Sequence, residues 1–254
     1  METLFIGQNQ YFLQRVDSTN TYATTLLRNV NTPEGTIVFT DHQTHGRGQR
    51  GNSWSTDIAS NITVSVILNP AFLPLQKTFY ISKITALAIH DVLTDNLPGS
   101  QFDIKIKWPN DMLVNRQKIA GILIENQLNG PVLGHSVVGI GLNVNQVNFG
   151  DLDGFATSMN KVSGQAFDRN AILERLCQAL EKWYLRLKQV RYEEINKAYF
   201  ASLYGHGQSL AFEDKAEQVF AAVLQHVRED GLLELALADG SLRHYDVKEV
   251  KLMM

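Results

Sequence analysis

Between Ile104 and Asn145 the chain reads IKIKW, MLVN, KIAGILIEN and HSVVGIGLNVN, four short β-branched runs separated by turn residues. Such runs are sheet strands joined by hairpins, and no other feature narrows the fold so far. IKIKW, Ile104 to Trp108, alternates apolar and charged residues as a half-exposed strand does. Pro109 ends it, because proline cannot donate to a ladder. Two strands come earlier: TIVFT (Thr36 to Thr40), which runs into a glycine loop, and NITVSVILN (Asn61 to Asn69), closed by Pro70.

Helices alternate with these strands. DSTNTYATTLLRN (Asp17 to Asn29) reads as a helix with Asp17 or Ser18 accepting from its free N–H groups. Lys77 to Asn96 reads as a mostly buried helix ended by Pro98 and Gly99. In residues 168–189, Leu173, Leu176, Leu180, Trp183 and Leu187 fall on one helical face, and RYEEINKAYFASLY continues as another helix. The character changes at Gly205-His206-Gly207. Asp230-Gly231 and Asp239-Gly240 are hairpin signals. We therefore expect an α+β chain in two parts: residues 1–204, and a small antiparallel barrel over 205–254. A barrel of about 50 residues is at the edge of independent stability, so it should lean on the larger part.

A net charge of −3 gives no general attraction to nucleic acid or to an anionic membrane, so cations that matter must be local. The single cysteine, Cys177, has no internal disulfide partner, which points to a reduced compartment. The N-terminus lacks the basic and apolar regions of a signal peptide, and no stretch reaches the roughly 18 apolar residues of a spanning helix. The cytoplasm is the expected location, with no membrane partner.

THGRGQRGNSW, Thr44 to Trp54, contains the dinucleotide fingerprint G-x-G-x-x-G at Gly46 to Gly51. That fingerprint needs a helix after the glycine turn and an acidic residue about 20 positions on. Here a loop and a β-branched strand follow, so the nicotinamide reading fails. Asn52-Ser53 stands where a P-loop requires Lys-Ser/Thr, and no DFG or HRD supports a kinase. What remains is chemistry: glycines let backbone N–H groups approach an anion, and Arg47 and Arg50 add planar cationic forks. A solvated basic surface loop has the same composition.

Three further stretches bear on a site. KWPND, Lys107 to Asp111, puts Lys107, Asn110 and Asp111 around a proline-forced turn. Asp111 there could bind magnesium or accept a hydrogen bond from an amine, while a plain hairpin whose Asn and Asp cap their own backbone reads identically. KIAGILIE has Lys118 followed by Gly121, which marks either close approach of a ligand or a hairpin lysine beside a bulge. VVGIGLNVN sets Gly139, Gly141 and Asn143 on one strand face, either flooring a groove or letting the strand pack tightly under a helix. Together they describe a glycine-floored groove ringed by Lys118, Lys107, Arg47 and Arg50, suited to a small anionic ligand and a nucleotide phosphate. No His/Cys cluster points to zinc, and no Ser-His-Asp arrangement stands out. Catalysis would rest on charge neutralisation and positioning.

The order DSTN, Q-x-x-GRG-x-x-G-x-x-W, KWPND, K-x-AGILIE, G-x-G-x-N resembles that of biotin protein ligases, over roughly Asp17 to Asn145. The resemblance implies a class II synthetase-like mixed sheet packed with helices, followed by a small SH3-like β-barrel. It implies ATP-dependent formation of biotinyl-5′-AMP, with magnesium as activator, and transfer of biotin to a lysine of a biotin carboxyl carrier protein. Lys118, Arg47, Lys107 and Asp111 would be the catalytic residues, Lys118 between carboxylate and α-phosphate and Asp111 orienting the incoming amine. Ser18, Thr19, Asn20 and Gln43 would contact biotin, as would Gly46, Arg47, Gly48 and Gln49 of the loop. Lys118, Gly121, Gly139 and Gly141 would complete the biotin site. Arg47, Arg50, Trp54, Lys107, Asn110, Lys118 and Asn143 would contact ATP. The metal ligands stay unassigned.

Two departures from the family pattern matter. Gln49 stands where the family loop commonly has a second arginine, associated with keeping the loop closed over the adenylate. Arg50 or a neighbouring group is expected to compensate. Only about 16 residues precede DSTN, which leaves no space for the DNA-binding helix-turn-helix of bifunctional members, so the expectation is a ligase without a DNA partner. The alternatives are a lipoate–protein ligase, which shares the chemistry, and a non-catalytic biotin sensor, which would keep the groove but lose the lysines and the loop.

Overall fold

A computed structural model describes residues 2–29 and 31–253. The chain begins with β1 (Gln10–Val16), α1 (Thr19–Asn29), β2 (Ile37–Gln43) and β3 (Ile62–Leu68). Next come α2 (Phe79–Asn96) and the strands β4 (Ile104–Lys107), β5 (Asp111–Val114), β6 (Gln117–Asn129) and β7 (Val132–Leu142). Three helices follow: α3 (Met159–Ser163), α4 (Arg169–Lys188) and α5 (Tyr192–Ser202). The C-terminal strands are β8 (Ser209–Asp214), β9 (Val219–Val227), β10 (Leu233–Leu237), β11 (Leu242–Tyr245) and β12 (Val250–Leu252).

The β-branched runs form a seven-stranded mixed sheet of order β1-β2-β3-β7-β6-β5-β4. β1 and β2 are parallel and joined across α1, while every other neighbouring pair is antiparallel. The tail forms a second, antiparallel sheet of order β11-β10-β9-β8-β12. Asp230-Gly231 turns β9 into β10 and Asp239-Gly240 turns β10 into β11, where the sequence places its hairpins. The mixed α+β architecture with a C-terminal β unit is thus the expected one. β1 and the short α3 have no counterpart in the sequence reading.

The helix ends follow local chemistry. Asp168 caps α4, its carboxylate accepting from Asn170 N (2.8 Å) and Ala171 N (3.4 Å). The large apolar core lies on one face of the mixed sheet. There Ile62, Val64, Val66, Val138, Ile140 and Ile122 pack beneath α2 and the Leu173–Leu187 face of α4. The core runs without a break into Phe212, Leu224, Val227, Leu233 and Leu235 of the second sheet. Burial of this apolar surface, rather than any one bond, joins the two sheets. The opposite face carries α1 over a small cluster of Ala23, Val38, Ile67 and Val137. The remainder of that face is open to the site. Among the described residues, no helix is long and apolar enough to cross a membrane.

Candidate active site

Sheet register builds the site. Side chains alternate along a strand, so directly paired residues share a face. One row of pairs runs Lys107, Asp111, Gly121, Gly141, Thr63, Thr40 across β4, β5, β6, β7, β3 and β2. The next row runs Leu123, Gly139, Ser65, Val38. A third holds Glu125, Val137 and Ile67. These rows face α1 and the glycine loop.

Lys118 reaches the same face through a defect in β6. Lys118 and Gly121 are three residues apart and would point to opposite sides of a regular strand. The β5–β6 register shifts between Met112, which pairs Ala120, and Leu113, which pairs Lys118. Ile119 is the extra residue of this bulge, and a bulge re-aims a neighbouring side chain. Lys118 Nζ therefore lies 2.6 Å from Asp111 Oδ1, an ion pair approached off the hydrogen-bonding direction. Of the two sequence readings of KIAGILIE, the bulge is present, and it turns Lys118 toward the groove face. In KWPND, Asn110 does not cap its own turn. Its amide donates to Ile122 O (2.9 Å) on β6.

The loop is a folded hairpin. Gly48 N donates to Asn52 O (2.7 Å), Trp54 N donates to Gly46 O (2.9 Å), and Arg47 and Ser53 form a bridge. Gln49 to Gly51 make a single 3-10 turn. The Trp54 indole lies on the glycine floor: a Cβ at Gly141 would sit 2.3 Å from its Cε2, and one at Gly121 3.0 Å from its Cζ3. Lys118 Nζ is 5.4 Å from the Trp54 ring centroid, within cation–π reach. The Trp54 N–H is buried and has no hydrogen-bond partner among the described residues. Gly139 makes room for the Asn20 amide of α1, whose Oδ1 would be 2.4 Å from a Cβ there. A strand packed tightly under a helix is therefore the right description at Gly139.

A cavity of about 470 Å³ lies in front of these rows, within the range of small-molecule sites. Of the residues singled out from sequence, Ser18, Asn20, Gln43, Arg47, Gly48 and Gln49 line it from α1, β2 and the loop. Trp54, Lys107, Asn110, Asp111, Lys118, Gly121, Gly139 and Gly141 line it from the sheet side. Three do not reach it. Thr19 stands behind Gln43, its N–H donating to Gln43 Oε1 (2.9 Å). Gly46 is pressed against Trp54 O and Gln43 Nε2. Asn143 is buried, with its amide donating to Thr157 O (3.0 Å), so it braces the loop after β7. The Arg50 side chain lies outside the described residues.

Burial lowers Lys107 below the usual lysine range. Asp111 opposes the shift, and the charges of Lys118 and Lys251 reinforce it. Lys251 belongs to β12, and it lines the cavity together with Glu213 and Asp214 of β8 and Lys248 of the turn before β12. Nothing local in the sequence marks those residues. Thr63 and Ser65 also escaped the reading, although their alternation with Ile62, Val64 and Val66 is a visible signal. Among the described residues no three His, Cys, Asp or Glu side chains cluster as a metal site.

Comparison with known proteins gives this geometry a context. The sequence model of the biotin/lipoate A/B protein ligase family matches residues 12–143. The chain is 37% identical over 187 residues to the bifunctional ligase/repressor BirA of Bacillus spizizenii, covering 72% of this chain and 56% of that protein. It is 33% identical over 196 residues to the biotin–[acetyl-CoA-carboxylase] ligase of Paracoccus denitrificans, covering 74% and 78% respectively. Its fold is similar to that of a biotin protein ligase from Aquifex aeolicus in complex with biotin and ATP. The TM-score is 0.79 over 97% of this chain and 99% of that one, at 23% identity. The chain thus spans little more than half the length of the Bacillus relative.

Proposed function

Because this chain belongs to the biotin/lipoate A/B protein ligase family, we propose that it is a biotin–protein ligase acting in two steps. Biotin carboxylate displaces pyrophosphate from ATP at the α-phosphorus, giving biotinyl-5′-AMP. A lysine amine of a carboxyl carrier protein then attacks the activated carbonyl, forming the amide and releasing AMP. The observation that carries this reading is the single cavity into which Lys107, Lys118, Asp111 and Arg47 converge above a glycine floor. Names of the relatives, which include biotin–[acetyl-CoA-carboxylase] ligases, support the choice of substrate.

Both reacting groups of the first step are anions, and charge grows on the departing pyrophosphate. Fixed cations that need no reorganisation lower such a barrier most. Lys118, held by the bulge beside Asp111, is placed to offset the charge of carboxylate and α-phosphate. Arg47 brings a planar fork to the same point from the loop. Lys107 faces the same cavity from β4, two strands away from Lys118. Trp54 covers the floor and excludes water that would hydrolyse an acyl-adenylate. In the second step the incoming amine loses a proton as the C–N bond forms, and Asp111 is the carboxylate placed to accept its hydrogen bond.

Magnesium would neutralise triphosphate charge. The cavity carboxylates Asp111, Glu213 and Asp214 do not form a three-ligand cluster, which fits an ion held chiefly by phosphate oxygens. The supply of ATP and the buried, unpaired Cys177 fit a cytoplasmic setting.

The test is pyrophosphate release with ATP, magnesium and either biotin or lipoate. Biotin-dependent release is expected. Release with lipoate alone would transfer the reading to the sister activity, and no release with either would leave a binding module.

A further inference from the structure

Glu125 lies outside the reaction just described and outside the cavity wall, yet it holds a residue that is part of both. Regular alternation along β6 puts Glu125 on the same face as Gly121 and Leu123. Its Oε2 accepts from Arg47 Nη2 at 2.7 Å and from Asn20 Nδ2 at 2.9 Å. Asn20 is buried and fixed at both ends: Nδ2 also reaches Leu123 O (3.2 Å), and Oδ1 accepts from Ser65 Oγ (2.6 Å). Ser65 and Thr19 hydroxyls are 2.8 Å apart, and Thr19 N–H donates to Gln43 Oε1. A continuous polar run therefore links Arg47 on the loop to Gln43 at the end of β2, through Glu125, Asn20, Ser65 and Thr19.

We propose that Glu125 is a positioning residue: its carboxylate grips the Arg47 guanidinium from behind, fixing the plane in which Arg47 faces the cavity and tying the loop to α1. A guanidinium presents five N–H donors in a rigid fork, so fixing one terminal nitrogen sets the direction of the others. Those remaining donors are left for an anionic substrate. The same grip would hold a loop rich in glycine, with the neutral Gln49 at its turn, against the sheet. The pair is partly exposed, 46% at Arg47 and 34% at Glu125, so screening keeps its stability contribution small and its value lies in geometry. What Arg47 is positioned for rests on the ligase reading, whereas the grip on the loop does not.

Two measurements on purified full-length Glu125→Gln separate these levels. Gln keeps the shape and an acceptor oxygen for Asn20 but removes the charge. Trypsin cleavage after Arg47 and Arg50, followed by mass spectrometry, reads loop opening without any activity. It should rise about fivefold, with no change in unfolding midpoint. In pyrophosphate release with ATP and biotin, KM for biotin should rise about fivefold while kcat changes less than twofold. Glu125→Asp, charged but one methylene shorter, should fall between wild type and Gln. Unchanged cleavage and KM would overturn the proposal, as would a fall in kcat at constant KM with a lowered midpoint, the signature of lost folded protein. If wild type releases no pyrophosphate with biotin, the ligase reading fails, and the cleavage rates alone still decide whether Glu125 holds the loop.

Discussion

The two faces of the seven-stranded sheet are made from the same strands and do opposite things. On β3, Ile62, Val64, Val66 and Leu68 enter the large core while Thr63 and Ser65 point to the site side. On β7, Val138, Ile140 and Leu142 join that core while Gly139 makes room for Asn20 and Gly141 lies under the Trp54 indole. One face is stabilised by apolar burial, at about 1.5–3 kcal/mol for each large aliphatic side chain. The other forgoes that burial to leave a space, and hydrogen bonds through Asn20, Ser65 and Glu125 brace it instead. A strand can serve both because its side chains alternate. Neighbouring residues then differ in what their loss would do.

Leu142 and Gly141 test this most sharply. Leu142→Ala leaves a hole in the large core and should cost about 2–5 kcal/mol, read as a lower denaturant midpoint, with kcat/KM of the folded enzyme close to wild type. Gly141→Val places a branched side chain where Trp54 lies 2.3 Å from even a Cβ. The indole must move, and adenylation should fall about a hundredfold or more with a much smaller change in stability. If Leu142→Ala abolished adenylation in fully folded protein, or Gly141→Val left it intact, the division of labour between the faces would be wrong.

The sequence shows this division unevenly. Alternation and turn residues mark β3 to β7 and both C-terminal hairpins, because these signals are local. The helical spacing of Leu173 to Leu187 is equally local. β1, QYFLQRV, is mixed in polarity and half-exposed at the sheet edge, so it has no apolar alternation to betray it. It exists through parallel pairing with β2, a partner 27 residues away along the chain at the Gln10–Ile37 pair. The site is legible as a set of residue types and illegible as a geometry. Nothing in KIAGILIE fixes the bulge at Ile119 that turns Lys118 toward Asp111, since register belongs to the pairing of β5 with β6. Glu125 sits at the end of that same motif, and its role appears only when the loop folds back on β6.

The apolar face contains one exception to its own rule. Lys83 of α2 is fully buried, donating to Asn196 Oδ1 (2.9 Å) and Val227 O (3.2 Å) among the rings of Tyr80, Tyr199 and Phe200. It thus ties α2 to α5 and to β9 of the second sheet. Burial brings its pKa down to about 8, with Glu229 opposing and Lys77 reinforcing. Between about pH 8 and the unfolded lysine value, the unfolded chain holds the proton and the folded one does not, so raising the pH favours folding. Wild type should gain on Lys83→Met by up to about 3 kcal/mol across that window, measured by denaturation at several pH values. A pH-independent difference would show that Lys83 stays charged in its cage. A smaller effect belongs to the edge of this face: Asp168→Ala removes the cap of α4 and should cost about 1 kcal/mol with no change in KM.

The smallest expected effect asks how far the polar face extends beyond its own sheet. Lys251 projects from β12 at the cavity rim, and its charge is felt by Lys107 across the gap between the two sheets. It is exposed, so solvent and salt screen it, and Lys251→Ala should raise KM for ATP only about twofold at low ionic strength and not at all in high salt. Removing this like charge should also let the Lys107 pKa climb back toward the ordinary lysine value, shifting any alkaline limb of the rate profile upward. If instead KM rises more than tenfold and stays raised in salt, Lys251 contacts nucleotide directly. The second sheet would then be a wall of the active site in its own right, and the polar face would be built from two sheets rather than one.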